Sequence, residues 1–274
     1  MRSREHLLAP PPLPYEHGAW AMLLIPLVLG LAAAWPPATA AWSLVPAMGL
    51  LILSRSAAVS AASRLIDGKK GPEGFIGRRV LWSLLYTGVA ALLVVLAWRL
   101  APPEARGRLL AAAACTLLLG GLHTGLTLAD RDRTIPGLII GMAGLASGAP
   151  LMVAAAGRPL DRHAIGAGMV ALLYFATSLA YLKAVRRVWK GDRAPLRRCV
   201  VAHAAVATAL ATLVASAFIT PLLAAAFVPV FARTAWGLRR PPSSLRILGW
   251  REVGVAALFT LTAIASFNVP PRVW

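Results

Sequence analysis

Ionisable side chains that interrupt long apolar stretches are the residues of this chain best suited to chemistry. Arg55 is the clearest case, because it lies inside the apolar stretch 41–62. A guanidinium is permanently charged and presents five N–H donors, so it binds phosphate or carboxylate groups well. One interpretation is that Arg55 faces an internal cavity and binds an anion. The other is that its stem packs on neighbouring helices while its head extends toward water.

Six further ionisable residues stand at or near the ends of apolar stretches: Glu16, His17, His123, Lys183, Arg186 and Glu252. Plainer interpretations exist: a polar cap beside the anchoring Trp20 for the first pair, a hydrogen-bonded packing group for the second histidine and for His203, and ordinary loop charge for the basic pair. Together with Arg55, however, these six residues enter the apolar stretches from one predicted side. We therefore predict that the seven residues form an inner polar cluster that binds an anionic group, with the two glutamates as counter-charges.

The motifs that would identify a reaction are absent from the sequence. Its ten acidic residues include no pair spaced i, i+3 or i, i+4, which a helical site for Mg²⁺ and diphosphate needs. Cys115 and Cys199 form no CxxC motif, and His123 and His203 have no spacing that indicates a haem. HExxH, P-loop, GxSxG and dinucleotide motifs are missing too. The sequence thus predicts no metal site and identifies neither a cofactor nor a reaction.

Nine apolar stretches have to position these residues, and each is about long enough to cross a bilayer core. Hydrophobic residues make up 58% of the 274, the mean hydropathy is +0.70, and the 14% of charged residues cluster between the stretches. The stretches cover residues 18–35, 41–62, 80–98, 109–128, 135–156, 164–182, 199–218, 220–238 and 253–269. We predict an all-α, polytopic transmembrane helical bundle of about nine spans, in which Pro221 opens the eighth helix after a tight hairpin.

The distribution of basic residues predicts how these spans are oriented. If the N-terminus is cytoplasmic, the inner segments hold 21 of the 28 Lys and Arg residues, the outer segments hold six, and Arg55 is the remaining one. This bias fits an inner N-terminus and an outer C-terminus, and it explains the net charge of +18 without nucleic acid as a partner. We expect a cytoplasmic segment at 1–17, a single transmembrane domain at 18–274, and a location in the plasma (inner) membrane. A cleaved signal peptide is the alternative for the first stretch, which is longer than most h-regions.

Two short motifs resemble those of a known family. Residues 16–22, Glu-His-Gly-Ala-Trp-Ala-Met, and the Leu-Leu-Ile-Pro that follows resemble the opening signature of the YwiC-like family. Residues 249–252, Gly-Trp-Arg-Glu, resemble its C-terminal motif. Members of that family are uncharacterised polytopic membrane proteins, so the resemblance implies a membrane protein and adds little about mechanism.

The architecture is also similar, more distantly, to the UbiA-type prenyltransferase superfamily. Those proteins are nine-span bundles whose active site lies at the cytoplasmic loops after spans two and six, and these two loops are the most basic in this chain. The segments 141–144 and 148–150 of the fifth stretch, Gly-Met-Ala-Gly and Gly-Ala-Pro, are similar as well. The superfamily's aspartate-rich motifs are missing here. If the fold is shared, we therefore do not expect ordinary metal-dependent prenyl transfer, whereas direct binding of a phosphate by cations is compatible with the sequence.

Three functional hypotheses follow from the sequence. The favoured one is a protein that binds an isoprenoid or another lipid with an anionic headgroup in a cavity facing the cytoplasm. The second is a transporter or exporter of a small anion, although the two halves show no internal repeat of the kind that many transporters have. The third is an accessory subunit of a membrane complex. The lipid bilayer is a partner in all three, and the sequence does not predict an oligomeric state.

Overall fold

The computed structural model describes residues 17–66, 68, 75–192 and 194–268, and its regular elements over these ranges are all helical, with no β-strand. The predicted all-α class is confirmed. A short 3₁₀ helix, Pro103–Ala105, precedes the fourth α-helix. The α-helices are α1 His17–Ala33, α2 Thr39–Ile66, α3 Phe75–Leu100, α4 Arg106–Leu128, α5 Ile135–Ala146, α6 Gly148–Ala155, α7 Arg162–Val188, α8 Ala194–Ala215, α9 Pro221–Ala225, α10 Val228–Arg239 and α11 Leu245–Asn268.

The described apolar helices correspond to the predicted spans. Eight segments within the described ranges are long and apolar enough to cross a membrane, namely Thr39–Ile66, Phe75–Leu100, Pro103–Leu128, Ile135–Ala155, Arg162–Val188, Ala194–Ala215, Pro221–Arg239 and Leu245–Asn268. The first predicted span corresponds to a shorter apolar helix, Trp20–Ala33. Several helices continue beyond the predicted boundaries, as α7 does to Val188, because hydropathy marks only the part of a helix that lies in hydrocarbon.

Two of these spans are interrupted by short breaks. Between α5 and α6, Pro150 lacks the N–H that would bond to the carbonyl of Ala146, so the first helix ends there. The hydroxyl of Ser147, at the break, donates to Thr116 of α4 over 2.9 Å. The other break separates α9 from α10.

The predicted hairpin at Pro221 is present between α8 and α9: the Thr220 hydroxyl caps α9 by accepting from the N–H of Leu223 at 3.1 Å.

The helix α1 lies at the centre of the bundle and packs against α2, α5, α6, α7 and α11. Gly30 makes its contact with α6 close: a Cβ added at this position would lie 2.8 Å from Cβ of Met152 and 2.9 Å from Cα of Ala149. Ile25 and Leu29 join the main core, in which the rings of Tyr174 and Phe259 stack with centroids 4.4 Å apart. Small residues thus let the helices approach, as is usual where helices meet inside membranes.

The helix α3 is peripheral and packs mainly on α2. The contact between them includes a polar group, because the hydroxyl of Ser54 lies 2.7 Å from that of Thr87 and 3.0 Å from that of Ser83. The outer face of α3 is apolar and exposed, with Leu92 71% accessible. Such a face is compatible with contact to lipid tails rather than water.

Candidate anion-binding site

The predicted inner cluster is represented in the structure by two separate hydrogen-bonded networks. Arg55 and His123 belong to one, and Glu252 belongs to the other. Glu16 lies outside the described residues. His17 is the first residue of α1, and only its backbone is described. Among the hydrogen bonds of the described residues, no bond joins the two networks.

Arg55 is held by the last two turns of α4. Its Nε donates to Oγ1 of Thr124 at 3.0 Å, and its Nη2 donates to Oγ1 of Thr127 at 2.7 Å and to Nδ1 of His123 at 3.1 Å. We call these four residues the Arg55 cluster. Every one of these acceptors is neutral, and no carboxylate of the described residues lies within ion-pair distance of the guanidinium. Among the described residues, the positive charge is therefore oriented by neutral acceptors and not by an ion pair.

The position of the guanidinium shows the direction in which the Arg55 side chain extends. Its Cα precedes the last residue of α2 by eleven positions, about 16 Å along the axis. Its head nevertheless reaches Thr127, the residue before the last of α4. The side chain thus extends along α4 toward the end of the bundle, where the polar loop 129–134 begins.

The hydrogen bond to Arg55 also fixes the form of the His123 ring. A guanidinium only donates, so Nδ1 of His123 must accept, and the proton of the neutral ring is on Nε2. That edge of the ring rests against α5, where a Cβ added at Gly141 would lie 2.6 Å from Nε2. Gly141 therefore provides the space that the histidine occupies. From the loop after α4, Asp132 interacts electrostatically with both Arg55 and His123.

Glu252 of α11 forms an ion pair with Arg233 of α10, in which Nη1 donates to Oε2 at 2.6 Å. The side chains are 4% and 17% exposed for Arg233 and Glu252, respectively. Nη1 also donates to Oγ of Ser178 at 3.3 Å, and Cζ lies 4.4 Å from the ring centroid of Tyr181. Arg233 is thus enclosed by α7 and α11. Its Nε, Oε1 of Glu252 and the Tyr181 hydroxyl are buried without a hydrogen-bond partner among the described residues.

A histidine extends this second network to α8. Nδ1 of His203 donates to the carbonyl of Cys199 at 2.8 Å, which leaves Nε2 to accept from the hydroxyl of Thr234 at 2.8 Å. The ring is buried against Phe231. This is the hydrogen-bonded packing group expected as the plainer interpretation of His203. We call the second network the Arg233 cluster, and it comprises Ser178, Tyr181, His203, Arg233, Thr234 and Glu252.

Lys183 and Arg186 belong to neither cluster. Both are exposed near the C-terminal end of α7, which they share with Arg187. Arg233, by contrast, is one of the 21 basic residues that the charge count assigns to inner segments, although it lies six residues inside the end of α10. Its position inside the stretch 220–238 was the signal that could have identified it as a membrane-embedded cation. No group of three or more potential metal ligands occurs among the described residues.

The apolar helices and the two embedded polar clusters define an all-α integral membrane protein with several spans. A family model described as YwiC-like protein matches residues 13–153, more than half of the chain, so the chain belongs to the YwiC-like family. The matched region contains the whole Arg55 cluster and none of the Arg233 cluster. No curated protein and no solved structure matches the chain. The similarity to the UbiA-type superfamily is therefore not confirmed.

Proposed function

We propose that this protein binds the anionic headgroup of a membrane lipid, an isoprenoid phosphate or another acidic lipid, at the Arg55 cluster. One observation carries the proposal: a guanidinium from within the apolar helix α2 is held by three neutral acceptors of α4. Three of its five N–H donors are used in this way, and the two on Nη1 have no partner among the described residues. An oriented guanidinium is well suited to bind phosphate or carboxylate oxygens through its remaining N–H groups.

A lipid is favoured over a soluble anion by the surroundings of the guanidinium. It lies level with the last turn of α4, the depth at which headgroups meet a helix end. The same helix exposes an apolar face, on which Leu117 and Leu118 are 59% and 63% accessible. A chain attached to the bound headgroup would lie along such a face. The predicted inner N-terminus would make the ligand a lipid of the cytoplasmic leaflet.

Asp132 allows a second test of the proposal, in which the expected effect on lipid binding has the opposite sign. Its carboxylate interacts electrostatically with Arg55 from outside the helix, so a bound anion competes with it. Removal of the Arg55 charge should therefore weaken lipid binding, and removal of the Asp132 charge should strengthen it. A purely structural role for Arg55 would not produce this reversal of sign.

The test is mass spectrometry of the lipids retained by protein purified into nanodiscs. We expect an acidic lipid to be enriched with the wild type, depleted in Arg55→Gln, and further enriched in Asp132→Asn. Arg55→Lys keeps the charge but replaces the planar guanidinium fork with a compact ammonium on a different stem, so its retention should be intermediate. Arg133→Gln is the matched control, because this exposed loop cation lies outside the cluster.

Three results would contradict the proposal. Equal retention of acidic lipid by the wild type and Arg55→Gln would remove Arg55 from any headgroup site. A loss of acidic lipid in Arg133→Gln as large as the loss in Arg55→Gln would indicate general loop electrostatics instead of a site at Arg55. Retention of a water-soluble phosphate or carboxylate in place of a lipid would favour the transport of a small anion instead.

A further inference from the structure

A groove between α10 and α11 is separate from the Arg55 cluster and was not predicted from the sequence. This open groove has a volume of about 450 Å³ and is lined chiefly by Arg233, Trp236, Arg251, Gly254, Val255 and Leu258. The volume lies in the range of sites that hold small amphiphilic ligands. Trp236 and Leu258 are 58% and 55% exposed, so the groove opens on the outer surface of the bundle.

The charged side chains of this groove differ in their exposure to the surroundings. Arg233 lies at its floor, but its side chain is only 4% exposed and is paired with Glu252. Arg251 is exposed on α11, one position before that glutamate. Arg251 is therefore the exposed cation among the lining residues, and Arg240, whose Cζ lies 5.1 Å from the ring centroid of Trp236, is a second exposed cation at the rim. An anionic head is the complement of these charges.

The groove changes from cationic to apolar along its length. Leu258 follows Arg251 by seven residues, so it lies about 10 Å deeper along the axis of α11. Between them, Gly254 leaves open space, since a Cβ added there would meet nothing within 4 Å. Trp236 borders the groove with an aromatic ring of the kind that anchors at membrane interfaces. A charged head beside Arg251 and a hydrocarbon chain over Gly254, Val255 and Leu258 would match these features in order.

We propose that the groove between α10 and α11 binds one phospholipid with an anionic head, held at Arg251 with an acyl chain over Gly254. The site does not depend on the Arg55 cluster, because the two share no residue. Glu252 has a positioning role in this arrangement: it keeps Arg233 at the floor, so that the lipid head contacts Arg251.

Trp236 provides a direct readout of the occupant. The protein is reconstituted into vesicles that contain brominated phosphatidylglycerol or brominated phosphatidylcholine, and tryptophan quenching is compared. The chain has nine tryptophans, so the signal of Trp236 is the difference between the wild type and Trp236→Phe. We expect this difference to be quenched more strongly by the anionic lipid.

Variants of α11 then separate the charge from the shape of the groove. Arg251→Gln should reduce the preference for the anionic lipid about five-fold, the equivalent of the ~1 kcal/mol that one basic residue near a membrane contributes. Gly254→Leu fills the groove and should reduce quenching of Trp236 by both lipids. Arg246→Gln and Gly249→Leu are matched controls, because both positions are exposed on the same helix and neither lines the groove.

Equal quenching of Trp236 by the two lipids in the wild type would overturn the proposal, as would a preference that survives in Arg251→Gln. Protection of Trp236 from both lipids in the wild type would also overturn it, because a protein surface would then cover the groove. If Arg251→Gln fails to fold, Gly254→Leu still decides the case: unchanged quenching in that variant excludes a lipid chain at this position. None of these results bears on the Arg55 cluster, which is tested by different residues.

Discussion

Arg233 and Glu252 have exchanged most of their contact with water for contact with each other and with α7. Only one oxygen of the carboxylate is used by the guanidinium, at 2.6 Å, while Oε1 has no partner among the described residues. Removing two charges from water is costly, and the loss of one member leaves the other uncompensated. Removal of one partner should therefore lower the stability by more than the ion pair itself contributes to it.

Glu252→Gln should lower the free energy of unfolding by roughly 3–5 kcal/mol, because Arg233 would remain buried without its counter-charge. The free energy of unfolding is measured on the purified protein in detergent, by thermal or denaturant unfolding. Glu104→Gln is the matched control, since that carboxylate is exposed in the 3₁₀ helix before α4. The double variant Arg233→Met, Glu252→Leu should recover most of the loss. A stable Glu252→Gln protein would show that the pair is well solvated.

At the residue scale, the sequence predicts part of what the structure contains. Arg55 could be identified because a charge inside an apolar stretch is conspicuous, and its neighbourhood with His123 follows from both lying near the same end of the bundle. Arg233 is counted only among the inner basic residues, because a hydropathy pattern cannot distinguish a cation that ends a span from one that is buried within its last turns. Its partners on α7 and α8 depend on helix packing, which no local pattern encodes.

At a few positions, two helices approach closely only because the residue is glycine. Gly30 of α1 faces α6 so closely that a methyl group there would overlap the backbone oxygen of Ala149. Backbone cannot move aside as a flexible side chain can, so the two helices would have to separate. Gly88 of α3 is the opposite case, because nothing lies within 4 Å of the position its Cβ would take.

Gly30→Ala should therefore destabilise the protein by about 1–3 kcal/mol, the usual cost of overpacking a well-packed core. Gly88→Ala is the control, and it should be neutral or stabilising by roughly 0.5–1 kcal/mol, because alanine favours a helix over glycine. Both variants are compared by unfolding in the same detergent. Equal stability of the two would mean that the contact between α1 and α6 is looser than the structure indicates.

At the scale of elements, hydropathy predicts the existence and order of the helices well, including the hairpin before Pro221. It does not predict that the fifth span divides at Ser147, although Pro150 lies three residues further on. A proline inside an apolar stretch either kinks a helix or ends it, and the contacts of the neighbouring helices decide which. Pro26 and Pro46, by contrast, lie within the continuous helices α1 and α2.

For the whole molecule, the orientation in the membrane remains a prediction from the charge distribution. It can be tested at the two ends of the span Ile135–Ala155, which is preceded by the loop with Arg133 and followed by the loop with Arg158. In a background with Cys115→Ala and Cys199→Ala, a membrane-impermeant maleimide added to intact cells should label Arg158→Cys and leave Arg133→Cys unlabelled. Permeabilised cells should give both labels. Labelling of Arg133→Cys alone in intact cells would invert the predicted topology.

The central position of α1 has a consequence for biosynthesis. This helix is made early, yet one side of it is covered by α11, which is made last among the described helices. During synthesis, the face of α1 that later packs against α11 must contact lipid or another apolar surface until α11 is made. Contacts between segments so distant in the chain form slowly, because the intervening segments must be ordered first. Completion of the bundle is thus delayed until the ribosome has released the segment that closes it.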